Sequence, residues 1–220
     1  MDTYQLPVLR NRQRSRRRYM LAKRSLDVLI CLPSLVLVTP VLLLVALLVR
    51  LDSPGNPFFT QKRVGLNGKL FTIFKFRTLY LEQFGVYLDG EIEPHDFRVT
   101  RLGRYLRRSK IDELPQLLNV VLGHMSIVGP RPDIPESVAT YSPGQHQRFL
   151  VKPGLTGAAQ ISGNIHLSWA DRITLDRWYI KHWSYRLDLR IMLLTPVSIC
   201  KGEATHFDPL RIHPLLAVPS

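Results

Sequence analysis

The chain has 220 residues, with 30 Lys plus Arg against 17 Asp plus Glu and a formal charge of +13. A hydrophobic fraction of 45% excludes wholesale disorder, and the only two cysteines, Cys31 and Cys200, exclude a disulfide scaffold or a cysteine-based zinc site. The length fits one domain with an appendage. Eight of the first 24 residues are basic (Arg10, Arg12, Arg14, Arg16, Arg17, Arg18, Lys23 and Arg24) against Asp2 alone, so this end of the chain should meet an anionic partner.

The next segment decides which partner. Val28 to Val49 is 22 residues without a charge. At about 1.5 Å per helical residue it is long enough to cross a hydrocarbon core of about 30 Å. A membrane surface is therefore expected rather than nucleic acid. Basic residues flank both ends, with Lys23 and Arg24 before the segment and Arg50, Lys62 and Arg63 after it, whereas a spanning helix carries its positive excess on one side. Thr39-Pro40 lies at the midpoint, where proline removes a backbone donor and the threonine hydroxyl can bond a carbonyl of the preceding turn. The expectation is a helix, a break at Thr39 and Pro40, and a second helix that leaves the same leaflet; the alternative is a kinked spanning helix.

Beyond Pro57, alternation of Leu70, Thr72, Phe74 and Phe76 with Phe71, Ile73, Lys75 and Arg77, following Asn67-Gly68, predicts a β-hairpin that delivers Lys75 and Arg77 to one face. Tyr80 to Asp96 reads as an acidic loop. Val99 to Arg108 reads as a basic amphipathic helix. Ser109, three residues before Asp112, suggests a capping box that places Asp112 and Glu113 in the first turn of a helix ending at Gly123. Val128-Gly129-Pro130-Arg131-Pro132 is a stiff loop. The glycines of Lys152-Pro153-Gly154-Leu155-Thr156-Gly157 suggest a close backbone approach to a phosphate. Ser168 to Trp183 reads as a helix holding Trp169, Trp178 and Trp183, whose clustering with tyrosines suits a membrane interface. Ile191 to Cys200 is too short to span.

Acidic residues favour any helix start because they offset its dipole. Around Asp112 and Glu113, however, Arg101, Arg104, Arg107, Arg108 and Lys110 lie within eleven residues upstream, and Arg131 follows on its rigid loop. Arginines hold diphosphates in bidentate fashion, and a carboxylate can bind Mg²⁺ or act as nucleophile. The residues thus point to phosphoryl chemistry at a membrane surface.

Lys23-Arg24-Ser25-Leu26-Asp27, Thr39-Pro40, Lys75-Phe76-Arg77-Thr78, Arg98-Val99-Thr100-Arg101-Leu102-Gly103, Asp112-Glu113-Leu114-Pro115-Gln116-Leu117, the Gly129-Pro130-Arg131-Pro132 loop and the Lys152 to Gly157 segment follow one another as in the bacterial sugar transferases. The chain resembles the small, monotopic polyprenyl-phosphate phosphoglycosyl transferases from about Lys23 to about Lys201. That resemblance implies a helix-rich α+β fold with a basic tail over 1–22, a re-entrant membrane helix over 23–51, a cytosolic catalytic domain over 52–201 and a C-terminal tail over 202–220. It implies transfer of a sugar 1-phosphate from a UDP-sugar to polyprenyl phosphate, usually undecaprenyl phosphate, with release of UMP. Asp112 would form a covalent phosphosugar intermediate, Glu113 would assist with Mg²⁺ or as a base, and Arg131 would hold a phosphate. Arg107, Arg108, Lys75 and Arg77 are further candidates for phosphate binding, and Asp112 and Glu113 for the metal. The expected location is the cytosolic face of the bacterial cytoplasmic membrane, on anionic lipids and without nucleic acid, at the first membrane step of exopolysaccharide, lipopolysaccharide or other glycoconjugate assembly, with downstream glycosyltransferases as possible partners. His124, Ala158, Ala159 and Asn164 depart from the family pattern, so no sugar is carried over. The competing expectation is a non-catalytic membrane-anchored scaffold of polysaccharide assembly.

Overall fold

The computed structural model describes residues 13–80 and 96–201. The first part of the basic tail, most of the acidic loop (Glu82, Asp89, Glu91 and Glu93) and the 202–220 tail lie outside the described residues.

The chain is a helix-rich α+β protein. One helix, α1 (Gln13–Asp52), carries the whole apolar segment and contains both Pro33 and Pro40. It is already helical at Gln13, ahead of Lys23, and it runs through Thr39 and Pro40 as one element rather than as two helices around a break. Its hydroxyls turn back on the helix, as Ser34 Oγ donates to the Ile30 carbonyl and Thr39 Oγ1 to the Leu35 carbonyl, each at 2.7 Å. The helix is long and apolar enough to cross a membrane by length and composition.

Both ends of α1 bond to the same domain. Near the start, the Arg24 guanidinium donates to the Val120 carbonyl and, at 2.6 Å, to that of Val121, and the Ile127 amide donates to Asp27 at 3.1 Å. At the other end Asp52 accepts from the Leu102 amide at 3.3 Å. Between them Cys31, Val45 and Val49 are buried against the domain. The opposite face, including Leu29, Val36, Leu37, Leu43 and Leu51, is exposed and apolar. Water would not tolerate such a stripe on a monomer, whereas lipid covers it.

Strands β1 (Phe58–Val64) and β2 (Leu70–Phe76) form the expected antiparallel hairpin, with Phe59 opposite Lys75 and Val64 opposite Leu70. Asn67 and Gly68 both have positive φ, which explains the turn signal. Helix α2 (Arg101–Ser109) follows, capped by Thr100 Oγ1 on the Gly103 amide at 2.9 Å. Helix α3 (Gln116–Val121) packs on β2. Buried Asn119 pins the two together, donating to the Thr72 carbonyl at 2.7 Å and accepting from the Phe74 amide at 3.1 Å.

Strand β3 (Ser126–Val128) pairs in parallel with β4 (Gly154–Thr156), with the short α4 (Pro135–Val138) in the connection and α5 (Ala158–Ile161) following. Helices α6 (Trp169–His182) and α7 (Tyr185–Cys200) close the core on Val128, Tyr179, Ile180 and Ile191. Trp178 and Trp183 are partly buried against this cluster, and Trp169 is exposed. On α7, Ile191 is buried while Leu189, Leu193 and Val197 are exposed.

Candidate active site

Asp112 and Glu113 sit in a single 3-10 turn, Ile111–Glu113, between α2 and α3. The expected capping box does not form. Ser109 is instead the last residue of α2, and its hydroxyl donates backward to the Tyr105 carbonyl at 2.8 Å. Lys110 ends α2 in the left-handed conformation, φ 58°, and α3 starts only after Pro115. The two carboxylates therefore sit in the first turn of a short 3-10 helix, turned off α2 by Lys110 and running on through Leu114 and Pro115 toward α3, and both are buried.

Their environments differ. Glu113 Oε1 accepts from Lys75 Nζ and from Arg131 Nη2, both at 2.7 Å, and Oε2 accepts from Arg131 Nη1 at 3.3 Å. Burial pushes its carboxyl up, but the charges and hydrogen bonds of Arg131 and Lys75 outweigh burial and hold it well below the usual range. Asp112 Oδ1 is buried with no hydrogen-bond partner among the described residues. Burial, and then the Glu113 charge, raise the Asp112 pKa, against the smaller opposing pull of Lys75, Arg107 and Lys110. One carboxylate is thus locked in an ion-pair cluster, and its neighbour presents an uncommitted oxygen in a cationic field.

The remaining candidates divide. Lys75 comes from β2 and Arg131 from the loop after β3, so hairpin and loop meet on Glu113. Arg107 is half-buried, contacts Thr78 Oγ1 at 3.5 Å and feels both carboxylates. Arg108 points outward and is exposed. Arg77 is elsewhere, its guanidinium buried on the carbonyls of Pro54 and, at 2.6 Å, Ser53, where it holds the chain leaving α1. Period two carried Lys75 into the site, but Arg77 lies past the end of β2, where the chain has turned toward α1. The sequence reading assigned Arg63 no role in the site. Its charge acts on Arg131 and Glu113, and it donates to the Pro132 carbonyl at 3.3 Å. Antiparallel register was the available signal, because Arg63 and Lys75 lie on the same hairpin face.

The glycines after Lys152 have a packing role. A Cβ at Gly154 would lie 2.1 Å from the Gly129 nitrogen, and one at Gly157 would lie 2.2 Å from the Gly129 oxygen. They let β4 approach the Arg131 loop backbone to backbone.

The family model of the bacterial sugar transferases matches residues 18–202. The chain is 43% identical over 184 residues to the uncharacterized sugar transferase EpsL of Bacillus subtilis, covering 84% of this chain and 90% of that one. It is 44% identical over 188 residues to the UDP-glucose:undecaprenyl-phosphate glucose-1-phosphate transferase of Caulobacter vibrioides, covering 81% and 70%. It is 43% identical over 190 residues to the undecaprenyl-phosphate glucose phosphotransferase of Komagataeibacter xylinus, covering 80% of this chain but 35% of that longer protein. With an aspartate-glutamate corner fed by three separate elements and a family match over most of its length, the chain belongs to the bacterial sugar transferase family.

Proposed function

We propose that the protein is a phosphoglycosyl transferase that moves a sugar 1-phosphate from a UDP-sugar to undecaprenyl phosphate and releases UMP, as the first membrane step of a bacterial glycan pathway. The observation that carries this reading is the contrast within the pair, an unpartnered Asp112 oxygen beside a fully engaged Glu113. In the first half-reaction an Asp112 oxygen attacks the β-phosphorus of the donor. The bond from that phosphorus to the bridging oxygen breaks, UMP leaves with the bridging oxygen, and the sugar phosphate remains as an acyl phosphate on Asp112. In the second, an oxygen of undecaprenyl phosphate attacks the same phosphorus, the bond to Asp112 breaks, and the carboxylate is restored. Two steps let one cationic site serve two anionic substrates in turn, without holding them together against their repulsion.

Arg131 is partly exposed and donates to Glu113 through both terminal nitrogens, so it is placed at the rim of the site, between that carboxylate and an incoming substrate phosphate. Lys75 is more enclosed and fixes the Glu113 carboxylate. Mg²⁺ commonly takes one or two carboxylates and completes its shell with substrate phosphates and water. The free oxygen of Asp112 fits such a ligand, with Glu113 as the second, and no third His, Cys, Asp or Glu joins them among the described residues. Bound there, Mg²⁺ would neutralise charge on the diphosphate.

The chain is further proposed to be monotopic, on the cytosolic face of the cytoplasmic membrane, with α1 entering and leaving one leaflet around Thr39 and Pro40. Support comes from the hydrogen bonds that tie Arg24 and Asp27, before the apolar run, and Asp52, after it, to one domain, which fits both ends of the helix lying on the same side.

The test is incubation with Mg²⁺, undecaprenyl phosphate and a panel of UDP-sugars starting with UDP-glucose. UMP release is expected with at least one donor and its loss in Asp112→Asn. With donor alone, intact-mass analysis is expected to show a phosphosugar adduct. Undiminished release in Asp112→Asn would overturn the assignment.

A further inference from the structure

Two motifs remain unused by this chemistry, Lys23-Arg24-Ser25-Leu26-Asp27 and the lysine that opens Lys152 to Gly157. They meet in a cavity at the root of α1, lined also by Ser126 and Trp183. Some of its groups have structural work. Lys23 pairs with Asp188 at 2.5 Å, and Arg24 closes the C-terminal end of α3 through the Val120 and Val121 carbonyls.

Asp27 and Tyr179 are likewise bonded, to the Ile127 amide and to Asp188, but three polar groups of the lining have no such role. Lys152 Nζ has no hydrogen-bond or ion-pair partner among the described residues. It nevertheless converges with Arg24 on Gly123, where a Cβ would lie 3.5 Å from Lys152 Nζ and 3.4 Å from Arg24 Nη2. Two cations are thus held together against their repulsion, and Asp27, the one carboxylate in the lining, offsets only one of them. The Ser126 hydroxyl, in a residue 1% exposed, and the Trp183 indole N–H are both buried without partners. Burying such donors unsatisfied is costly, so a ligand that accepts from them is favoured. Cations beside hydroxyl and indole donors make the chemistry of an oxyanion site. The position fixes the class further. Lys23, Arg24 and Asp27 immediately precede the uncharged Val28 to Val49 run, and the neighbouring Leu21 and Leu26 are exposed. The cavity therefore lies at the depth of lipid head groups if the apolar run lies in hydrocarbon.

We propose that Lys152, Arg24, Ser126 and Trp183 form a second phosphate site, separate from Asp112 and Glu113, that takes the phosphate of a membrane lipid head group. The site anchors the root of α1 at the membrane surface.

The test is titration of the full-length, detergent-solubilised protein with water-soluble dihexanoyl phosphatidic acid and, in parallel, with inorganic phosphate. Saturable binding of the lipid is expected, weakened roughly tenfold or more in Lys152→Met and in Ser126→Ala, in line with the loss of one charge-assisted hydrogen bond. Arg131→Gln, which disables phosphate binding at the catalytic corner, is expected to leave this binding unchanged. Equal affinity for inorganic phosphate, sensitive to the same two variants, would keep the phosphate site but overturn the lipid as its source. Lipid binding undiminished in both Lys152→Met and Ser126→Ala, or abolished by Arg131→Gln, would overturn the site itself. Lys152 bonds to nothing that folding needs, and circular dichroism of each variant separates a lost site from a lost fold.

Discussion

Arg148 Nη2 donates to the backbone carbonyl of Arg131 at 3.0 Å. The same guanidinium bonds Asp176 at 2.7 Å, Asp133 at 3.3 Å and the Tyr141 hydroxyl at 2.7 Å, all from a position 3% exposed. Arg131 therefore reaches Glu113 from a loop whose backbone is held by a second, buried arginine.

Removing that support should act on both stability and catalysis. Arg148→Met leaves Asp176 buried without its cation and Asp133 with Arg63 alone, at 4.0 Å, and is expected to cost about 3–5 kcal/mol in unfolding free energy. Arg148→Lys keeps the charge but cannot span the same partners with one ammonium group. It is expected to fold with a lower melting temperature and to lose donor kcat/KM, because Arg131 is no longer held in register. Unchanged donor kinetics in a destabilised Arg148→Lys would reduce Arg148 to a purely structural role.

The acid limb of the reaction reports on Asp112. The attacking carboxylate must be ionised, so the active fraction falls as pH falls through its pKa. Burial and the Glu113 charge raise that pKa, which places the limb above the ordinary aspartate value of about 3.9. Glu113→Gln removes the second of these causes and frees Lys75 and Arg131 to act on Asp112, so both changes shift the pKa down. The acid limb of adduct formation, measured by rapid-quench mass analysis across pH, is expected to move to lower pH in Glu113→Gln, whatever happens to the maximal rate. A shift upward would contradict the coupling described here.

Arg77 and Arg131 provide a paired prediction. Arg77→Lys exchanges a planar fork on two backbone carbonyls for a single ammonium group, so it should lower the melting temperature and leave the donor KM unchanged. Arg131→Gln should raise donor KM, and because it leaves buried Glu113 with Lys75 alone, its melting temperature should fall as well. Kinetics and thermal unfolding on both variants check the assignment. A raised donor KM in Arg77→Lys would return Arg77 to the site.

The same pair shows what the sequence could and could not disclose. The hairpin, the Asp112-Glu113 pair between two helices and the Arg131 loop were readable because each depends on neighbours a few residues away. Which basic side chain turns to a carboxylate and which to backbone carbonyls depends on where α1 docks, some fifty residues upstream of α2. Arg77, Arg63 and Arg148 each found long-range partners that local periodicity does not encode. Ser109 misled for a related reason: the capping pattern is present, but left-handed Lys110 ends α2 one residue after Ser109 and leaves it at the wrong end of a helix.

The glycines after Lys152 meet the Gly129 backbone, and that contact makes a sharp prediction. A methyl group at Gly154 would meet the Gly129 nitrogen at 2.1 Å and the Thr156 oxygen at 2.3 Å, both backbone atoms that cannot rotate away. Gly154→Ala must therefore part β3 from β4 and shift the loop that carries Arg131. A cost of roughly 1–3 kcal/mol in stability is expected from the overpacking alone, together with a loss of transferase activity larger than that destabilisation explains at temperatures where the variant stays folded. Gly144 is the matched control. It sits at φ −67°, ψ −31°, and an added Cβ there comes no closer than 4.0 Å to the Arg177 side chain. Gly144→Ala is expected to leave activity intact and to raise stability by about 0.4–1 kcal/mol through the unfolded chain. Urea unfolding and UMP release on both variants test the pair, and full activity in Gly154→Ala would show that the Arg131 loop does not depend on its contact with β4.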